Sequence, residues 1–390
     1  MESKMENWLK DNECTGCGAC QNICPKEAIQ MVTDECGFWH PRIIKDKCID
    51  CKQCEKVCPI VKPAFSNRFS SSPEVYAGWS LNADTRYNST SGGIFSELAL
   101  KILEMGGAVS GAVYSETFLV YHQVIFKETD LTNIRQSKYI QSDSGYVFRE
   151  IKTVLAEGKT VLFCGTPCQV AGLNTYLGKD YENLITVDFI CRGANSPKAY
   201  RKWLDMLEKQ YHSEVTRVWF KNKELGWNRF STRVDFKNGK IYRKDRYTDL
   251  FMRGYLEKNW YIRPCCGDCK FKAVPRVADL TLADFWKVDK ALDEDKGTSM
   301  IMVNTQRGTF LLESIKDNIY LQRRDLDEVL NGNQMLNKSA WISKWSGYFL
   351  RSLDYKRFDK AFYHLELKLK FLGWKYKWKK YYGNKRSKNS

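Results

Sequence analysis

Fifteen of the 390 residues are cysteine and only four are histidine, and nine of the cysteines lie in the first 58 positions. Cys14, Cys17, Cys20 and Cys24, followed by Pro25, recur 34 positions later as Cys48, Cys51, Cys54 and Cys58, followed by Pro59. Three thiolates at spacing three wrap one side of an iron–sulfur cubane. The fourth, just before a proline that turns the chain away, reaches a different one. The spacing thus assigns one 4Fe-4S cluster to Cys14, Cys17, Cys20 and Cys58, and a second to Cys48, Cys51, Cys54 and Cys24. The competing use of such residues is structural zinc, but zinc sites usually draw on two separated C-x2-C pairs. Cys36 fits neither run and reads as a packed thiol.

Six cysteines remain: Cys164, Cys168, Cys191, Cys265, Cys266 and Cys269. Cys266 and Cys269 form a C-x2-C pair behind the stiffening Pro264. Cys168 follows Gly165-Thr166-Pro167, a turn that aims it inward from a strand end. Cys191 ends the apolar strand expected over 184–190. Strand ends on one rim of a sheet are where sites assemble in α/β folds. The four thiolates of Cys168, Cys191, Cys266 and Cys269 suffice for a third 4Fe-4S cluster, or for zinc, with Cys164 and Cys265 as packed thiols. No Ser/His/Asp set or pair of catalytic carboxylates stands out. His40, His122, His212 and His364 are too scattered to suggest histidine chemistry, so no catalytic residue is assigned.

These side chains need a scaffold. Hydrophobic residues make up 43% of the chain, enough for a sizeable core and too many for a disordered polymer. The cysteine repeat, one unit copied, occupies 1–65. The polar run NRFSSSP makes 66–73 a linker. From 74 on, apolar runs at 108–113 and 160–163 alternate with helix-like stretches at 93–103, 145–155 and 198–210, the texture of an α/β body. That body divides into 74–180 and 181–337. Residues 215–242 read as strands with a hairpin turn at Asn238-Gly239.

With those positions in view, the chain from about 75 to 337 resembles the beta subunit of coenzyme F420-reducing hydrogenase and its dehydrogenase relatives. The resemblance rests on Ser89-Thr90-Ser91-Gly92-Gly93, the run Ser137 to Ser142, and Leu162 to Gln169. Further on, Asp188 to Gly193, Arg263 to Cys269, Asp279 to Trp286 and Gly297-Thr298-Ser299 carry it. It implies an iron–sulfur flavoprotein, often fused to an N-terminal two-cluster bacterial ferredoxin domain, and it supports the four cysteines of the third cluster. The fold class implied is α+β: a ferredoxin-like domain, an α/β flavin-binding body and a helical basic tail. FAD is the implied cofactor, with Ser91, Gly92, Gly93, Lys138, Tyr139, Gln141, Ser142, Thr166, Thr298 and Ser299 as its contacts. A Ser-Gly-Gly turn before a helix can offer backbone N–H groups to the pyrophosphate; an N-cap by Ser91 is the plain alternative. Asp279 and Asp284 are either contacts of the site or caps and turn residues.

The function implied is an oxidoreductase that passes electrons between a hydride-type donor or acceptor at FAD and one-electron clusters, with a redox partner protein or small molecule at the far end. Two residues depart from the family. Arg192 stands where relatives often have His, and Lys287 where they usually have Gly. The deazaflavin substrate is therefore open. The alternatives are a reductase of another organic substrate, such as one in the cell-surface polysaccharide chemistry with which some relatives are encoded, or an electron carrier without flavin.

The net charge is +16, and residues 341–390 hold 14 Lys or Arg against three Asp or Glu, so +11 of it lies there. The segment 338–390 reads as a basic aromatic helical tail, with Gly373 interrupting the helical spacing. Aromatics mixed with cations suit an anionic membrane surface, nucleic acid, an acidic partner or a docked helix with a solvated face. The other 340 residues carry only +5, which argues against a general nucleic-acid surface. No apolar run reaches about 18 residues, so no spanning helix is expected. The N-terminus MESKMENWLKD has no apolar leader core. The expected location is the cytoplasm, with peripheral contact at the inner membrane face through 341–390. Thiols stay reduced there, free to bind metal.

Overall fold

The computed structural model describes residues 9, 12–63 and 69–386, with side chains as far as 372; part of the expected linker, the last four residues and the tail's side chains from 373 lie outside the described residues.

The cysteine repeat is copied in backbone as well as in sequence. Gly16 (φ 69°) and Gly18 (φ 83°) lead into the helix Ala19–Ile23. Thirty-four positions on, Asp50 (φ 50°) and Lys52 (φ 56°) lead into the helix Gln53–Lys56. Left-handed backbone costs an L-residue roughly 1–2 kcal/mol, so the second copy carries strain that the first avoids. Packing explains why the first copy must use glycine. A Cβ on Gly16 would lie 2.3 Å from Gln141 Nε2 and 2.8 Å from the Trp39 carbonyl, whereas residues 48–53 are exposed. Strands β1 (Ile29–Thr33) and β2 (Trp39–Ile43) form an antiparallel hairpin between the copies.

The body is built on a mixed sheet of β3 (Glu74–Ser80), β4 (Ala108–Tyr114), β5 (Val120–Ile125), β6 (Val161–Cys164), β7 (Leu184–Phe189), β11 (Leu280–Asp284), β12 (Ser299–Val303) and β13 (Ile319–Arg324). Strands β8 (Val215–Asn222), β9 (Ser231–Phe236) and β10 (Ile241–Asp245) form a separate antiparallel sheet. The large sheet runs β13-β3-β12-β11-β7-β6-β4-β5. Its centre, β11-β7-β6-β4, is parallel, and its flanks are antiparallel. Strands β6 and β7 are apolar almost throughout because both faces are covered. Two buried clusters lie on the two faces, one under the helices Val147–Ala156 and Pro167–Leu177, the other under Ile94–Glu104.

The helices stand close to their expected places at Ile94–Glu104, Val147–Ala156 and Pro197–Tyr211. The hairpin turn falls at Asn238-Gly239, with Gly239 at φ 80° and its N–H on the Phe236 carbonyl. The last helix, Phe358–Arg386, runs through Gly373, which does not interrupt it. One glycine costs a helix about 1 kcal/mol, too little to end one whose first turns are anchored by buried Phe358, Phe362 and Leu365.

Candidate functional site

The two cysteine runs meet across the repeat. Cys14, Cys17, Cys20 and Cys58 are all buried. Burial, opposed by the Ala19 N–H and reinforced by the Cys58 and Cys14 sulfurs, pushes the Cys17 thiol up to about 12. Cys20 is raised by burial and then by Cys17, Cys14 and Cys58. Three cysteines of the first run thus share their space with the last of the second. Cys48 and Cys51 are exposed. Cys54 is raised mainly by burial, opposed by the Glu55 backbone N–H and reinforced by the Glu55 carboxylate and the Cys51 sulfur. Cys24 closes the helix Ala19–Ile23, and its Sγ accepts the Ala28 N–H at 3.2 Å. Among the described residues no group of three or more His, Cys, Asp or Glu is placed to hold a metal ion. A cubane spreads its thiolates over four iron corners and needs a wider cage than one ion does.

This module is bolted to the body through buried polar groups. Arg263, 1% exposed, donates from Nε to the Cys14 carbonyl at 2.8 Å and from Nη1 to Gln141 Oε1 at 3.0 Å. Gln141 Oε1 also accepts the Trp39 N–H at 3.0 Å. Arg149 donates to the Cys24 carbonyl at 2.7 Å. A close approach to a cysteine sulfur is at Gly172 on the helix Pro167–Leu177, where a Cβ would lie 2.9 Å from Cys17 Sγ. Cys168 sits one turn earlier on the same helix.

Cys168, Cys191, Cys266 and Cys269 come together from three separate segments. Cys168 is raised by burial and by Cys191, Cys269 and Cys266 in turn. The Cys191 thiol is pushed up to about 12, by burial first and Cys266 next. Each segment has a local reason for its shape. The helix Pro167–Leu177 opens with a capping box between Thr166 and Gln169, which presents Cys168 in its first turn. Cys191 follows the end of β7. Cys266 and Cys269 lie on a single 3-10 turn, Pro264–Asp268, and its cap. Gly193, at φ 147°, lets Cys266 approach, since a Cβ there would lie 3.2 Å from Cys266 Cβ. Lys272 donates to the carbonyls of Cys191 and Met335, and Thr166 Oγ1 lies 3.1 Å from Cys168 Sγ. Burial holds these four thiols neutral until a metal displaces their protons and takes the thiolates as ligands, and four converging sulfurs are a donor set that fits an iron–sulfur cluster.

A cavity of about 1060 Å³ extends from this group along the carboxyl ends of β6, β7 and β11. Its walls include Ser91, Gly93, Lys138, Tyr139, Gln141, Ser142, Thr166 and Ser299, with the Thr15-Gly16 loop of the cysteine module at one end. Gly92 and Thr298 do not line it. They build the turn: Gly92 N–H donates to Ser299 Oγ at 2.9 Å, and Ser91 Oγ donates to the Thr298 carbonyl at 2.8 Å. A Cβ on Gly92 would lie 2.5 Å from the Gly78 carbonyl. The N-cap of the helix Ile94–Glu104 is Gly93 at φ 94°, with no side-chain cap. Ser91 does not cap it, so the helix N–H groups keep no side-chain partner of their own at the cavity wall. The turn fits an anionic group of a dinucleotide. Buried Lys223 holds it from behind, donating to the carbonyls of Ser91 (2.5 Å), Arg86 (2.6 Å) and Lys296 (3.0 Å).

The charged lining is poised by burial. Burial pulls the Lys138 ammonium down to about 7, and its Nζ donates to the Arg135 carbonyl at 2.8 Å. His122, pulled by burial to about 4 and therefore neutral, pairs with Ser142 Oγ at 3.1 Å. Ser142 accepts from Gln169 Nε2 at 2.9 Å, and Thr166 Oγ1 donates to Gln169 Oε1 at 2.9 Å, so a polar chain links the cavity to Cys168. Asp279 and Asp284 part company. Asp279 accepts from Thr186 and Thr305 inside the sheet, a structural role. Asp284 faces the cavity and accepts from Lys221 Nζ at 2.8 Å and Trp227 Nε1 at 3.1 Å.

Lys221 and Lys223 went unnoticed in the sequence, His122 was set aside there as one of four scattered histidines, and Arg263 was quoted only as part of a stretch. A lysine inside the apolar strand run VTRVWFKN was the available signal for Lys221. The ring of Trp286 stacks on Trp227 at 4.8 Å and 7°, and Lys221 Nζ sits over it at 4.5 Å. Lys287 adopts φ 61° at the cavity wall, a backbone suited to the glycine usual there in relatives.

Residues 158–329 match the family model for the C terminus of the coenzyme F420 hydrogenase/dehydrogenase beta subunit, and residues 13–61 match that for a 4Fe-4S dicluster domain. No curated protein matches the chain. A chain in a solved structure of the F420-reducing [NiFe] hydrogenase complex from Methanosarcina barkeri is 17% identical, with a TM-score of 0.49 over 78% of this chain and 95% of that one.

Proposed function

We propose that this chain, a 4Fe-4S protein of the oxidoreductase type that carries the C-terminal region of the coenzyme F420 hydrogenase/dehydrogenase beta subunits, is a flavoprotein converting two-electron into one-electron transfer. FAD, when bound, exchanges a hydride with a substrate and single electrons with iron–sulfur centres. Three 4Fe-4S clusters serve it: two on the N-terminal runs and one on Cys168, Cys191, Cys266 and Cys269. Ser91, Gly93 and the start of the helix Ile94–Glu104 receive the pyrophosphate, with Gly92 and Thr298 shaping the turn. Lys138, Tyr139, Gln141, Ser142, Thr166 and Ser299 line the remainder. The observation that carries this reading is the continuity of one cavity from the Ser91 turn, past the four cysteines, to the loop of Cys14.

Lys287 supports a second reading of the substrate. Its positive φ leaves a cation at the cavity wall beside Trp286, with Arg246 lying over the same ring at 6.0 Å. A charged side chain at that wall alters the pocket for the hydride partner, and an organic acceptor other than the deazaflavin is the second reading. The working division is a cluster module at 1–65, a linker, a body to 337 and a tail, in a cytoplasmic protein that hands electrons to a redox partner. Steady-state assay of the flavin-loaded, anaerobic protein with reduced coenzyme F420 and with reduced nicotinamides as donors, and a one-electron dye as the acceptor, separates the readings. Turnover of the first supports the deazaflavin and excludes the second reading. Iron-loaded protein that binds neither FAD nor FMN would reduce the chain to an electron carrier.

A further inference from the structure

The helix Phe358–Arg386 has two apolar faces on opposite sides. Phe358, Ala361, Phe362 and Leu365 are buried and pack into the body with Trp260 and Phe349; the Trp260 and Phe362 rings are 4.9 Å apart. At about 100° per residue these positions share one side. Tyr363, Leu367 and Phe371 fall on the other, at the spacing of a single stripe, and are 53%, 70% and 55% exposed. The second stripe begins while the helix is still docked, so it is not the unused end of the core-facing side.

The sequence extends the stripe. Positions 374, 378, 381 and 382 continue its register and are Trp, Trp, Tyr and Tyr, and the helix backbone continues to Arg386. Positions 367–386 contain eight Lys or Arg and no Asp or Glu. The acid just before them, Glu366, is neutralised within the body by Arg253 at 2.5 Å and Lys258 at 3.6 Å. In helical register, Lys370 and Lys377 fall on one flank of the stripe, and Lys375 and Lys379 on the other. No helix among the described residues is long and apolar enough to cross a membrane.

We propose that the outer half of this helix lies in the headgroup zone of an anionic bilayer, its aromatic stripe toward the acyl boundary and its flanking lysines on the lipid phosphates. A long apolar stripe with cations on both flanks matches a flat interface that is apolar within and negative at its rim. Nucleic acid fits less well, because the rest of the chain adds only +5 and so no extended basic track. Docking this way lays the body against a membrane, where a lipid-borne or membrane-bound redox partner is met.

The test is co-sedimentation of the full-length, cluster-loaded protein with vesicles of phosphatidylglycerol and phosphatidylcholine, and with phosphatidylcholine alone. Binding to the mixed vesicles and not to the neutral ones is expected. The paired variant Trp374→Ser/Trp378→Ser should bind the mixed vesicles about tenfold or more weakly, and so should Leu367→Ser/Phe371→Ser, with iron content and melting temperature unchanged. Absence of binding, equal binding to both vesicles, or serine variants that bind like the parent would overturn the proposal. So would retention on duplex DNA that matches the mixed vesicles and ignores the serine substitutions, since charge alone would then be responsible.

Discussion

The N-terminal module and the body solve the same problem, placing four thiols around one space, by opposite routes. In the module three of the four sulfurs come from a run of seven positions, and two left-handed residues per copy wind the chain around them. In the body Cys168, Cys191 and the pair Cys266 and Cys269 arrive from a helix start, a strand end and a 3-10 turn on different parts of the fold. The first arrangement depends on local backbone and the second on the sheet. The module tolerates strain at its surface, where Asp50 and Lys52 hold positive φ. It permits none where it meets the body, at Gly16 and against Gly172.

That contrast can be broken at its strongest point first. Cys191→Ala should remove the third cluster alone, lowering iron by about four atoms per chain while both N-terminal clusters remain; loss of all iron would make the module dependent on the body. Gly172→Leu places a branched side chain on Cys17 Sγ, and a destabilisation of about 2–3 kcal/mol in chemical unfolding is expected from such overpacking. Electron passage between body and module should slow with it in stopped-flow reduction. Lys223→Met strips three buried carbonyls of their donor and should cost about 1–3 kcal/mol, together with weaker flavin retention. Burial pulls the Lys223 ammonium from its usual 10.5 down to about 7. Between those values the unfolded chain holds a proton that the folded chain has released, so native stability from this group rises with pH across that window. The rise should disappear in Lys223→Met, measured by urea unfolding at neutral and alkaline pH. Thr166→Val removes the hydroxyl 3.1 Å from Cys168 Sγ; with a cluster bound, that hydroxyl turning its one proton from Gln169 to the thiolate favours the reduced state, so the variant should move the third cluster to a more negative potential. Thr166→Ser should restore it. The smallest effect lies at the exposed copy: Lys52→Gly should stabilise by about 1 kcal/mol, whereas Gly16→Ala should not be tolerated.

Much of this was legible in the sequence because it is local. The cysteine repeat, the helices beginning near 94 and 197, and the hairpin at Asn238-Gly239 each rest on spacing within a few residues. The third cysteine group was proposed from strand ends and family resemblance, and the structure brings its four members near one another, while their neighbours were not legible. Hidden were the residues whose meaning depends on distant partners. Arg263 ties Cys14 to Gln141 across about 250 positions, and Lys223 reaches Ser91 across 132. Gly92 and Thr298 stand near the expected site but shape the turn instead of lining the cavity. Gly373 was read as a break because glycine is a poor helix former, while tertiary anchoring of the first turns decided the outcome.

The most direct test of the central claim is iron, sulfide, zinc and flavin analysis of the anaerobically purified chain. About twelve iron atoms and one flavin per chain are expected, with equal sulfide and no zinc. About eight iron atoms with zinc in their place, or full iron with no bindable flavin, would contradict it.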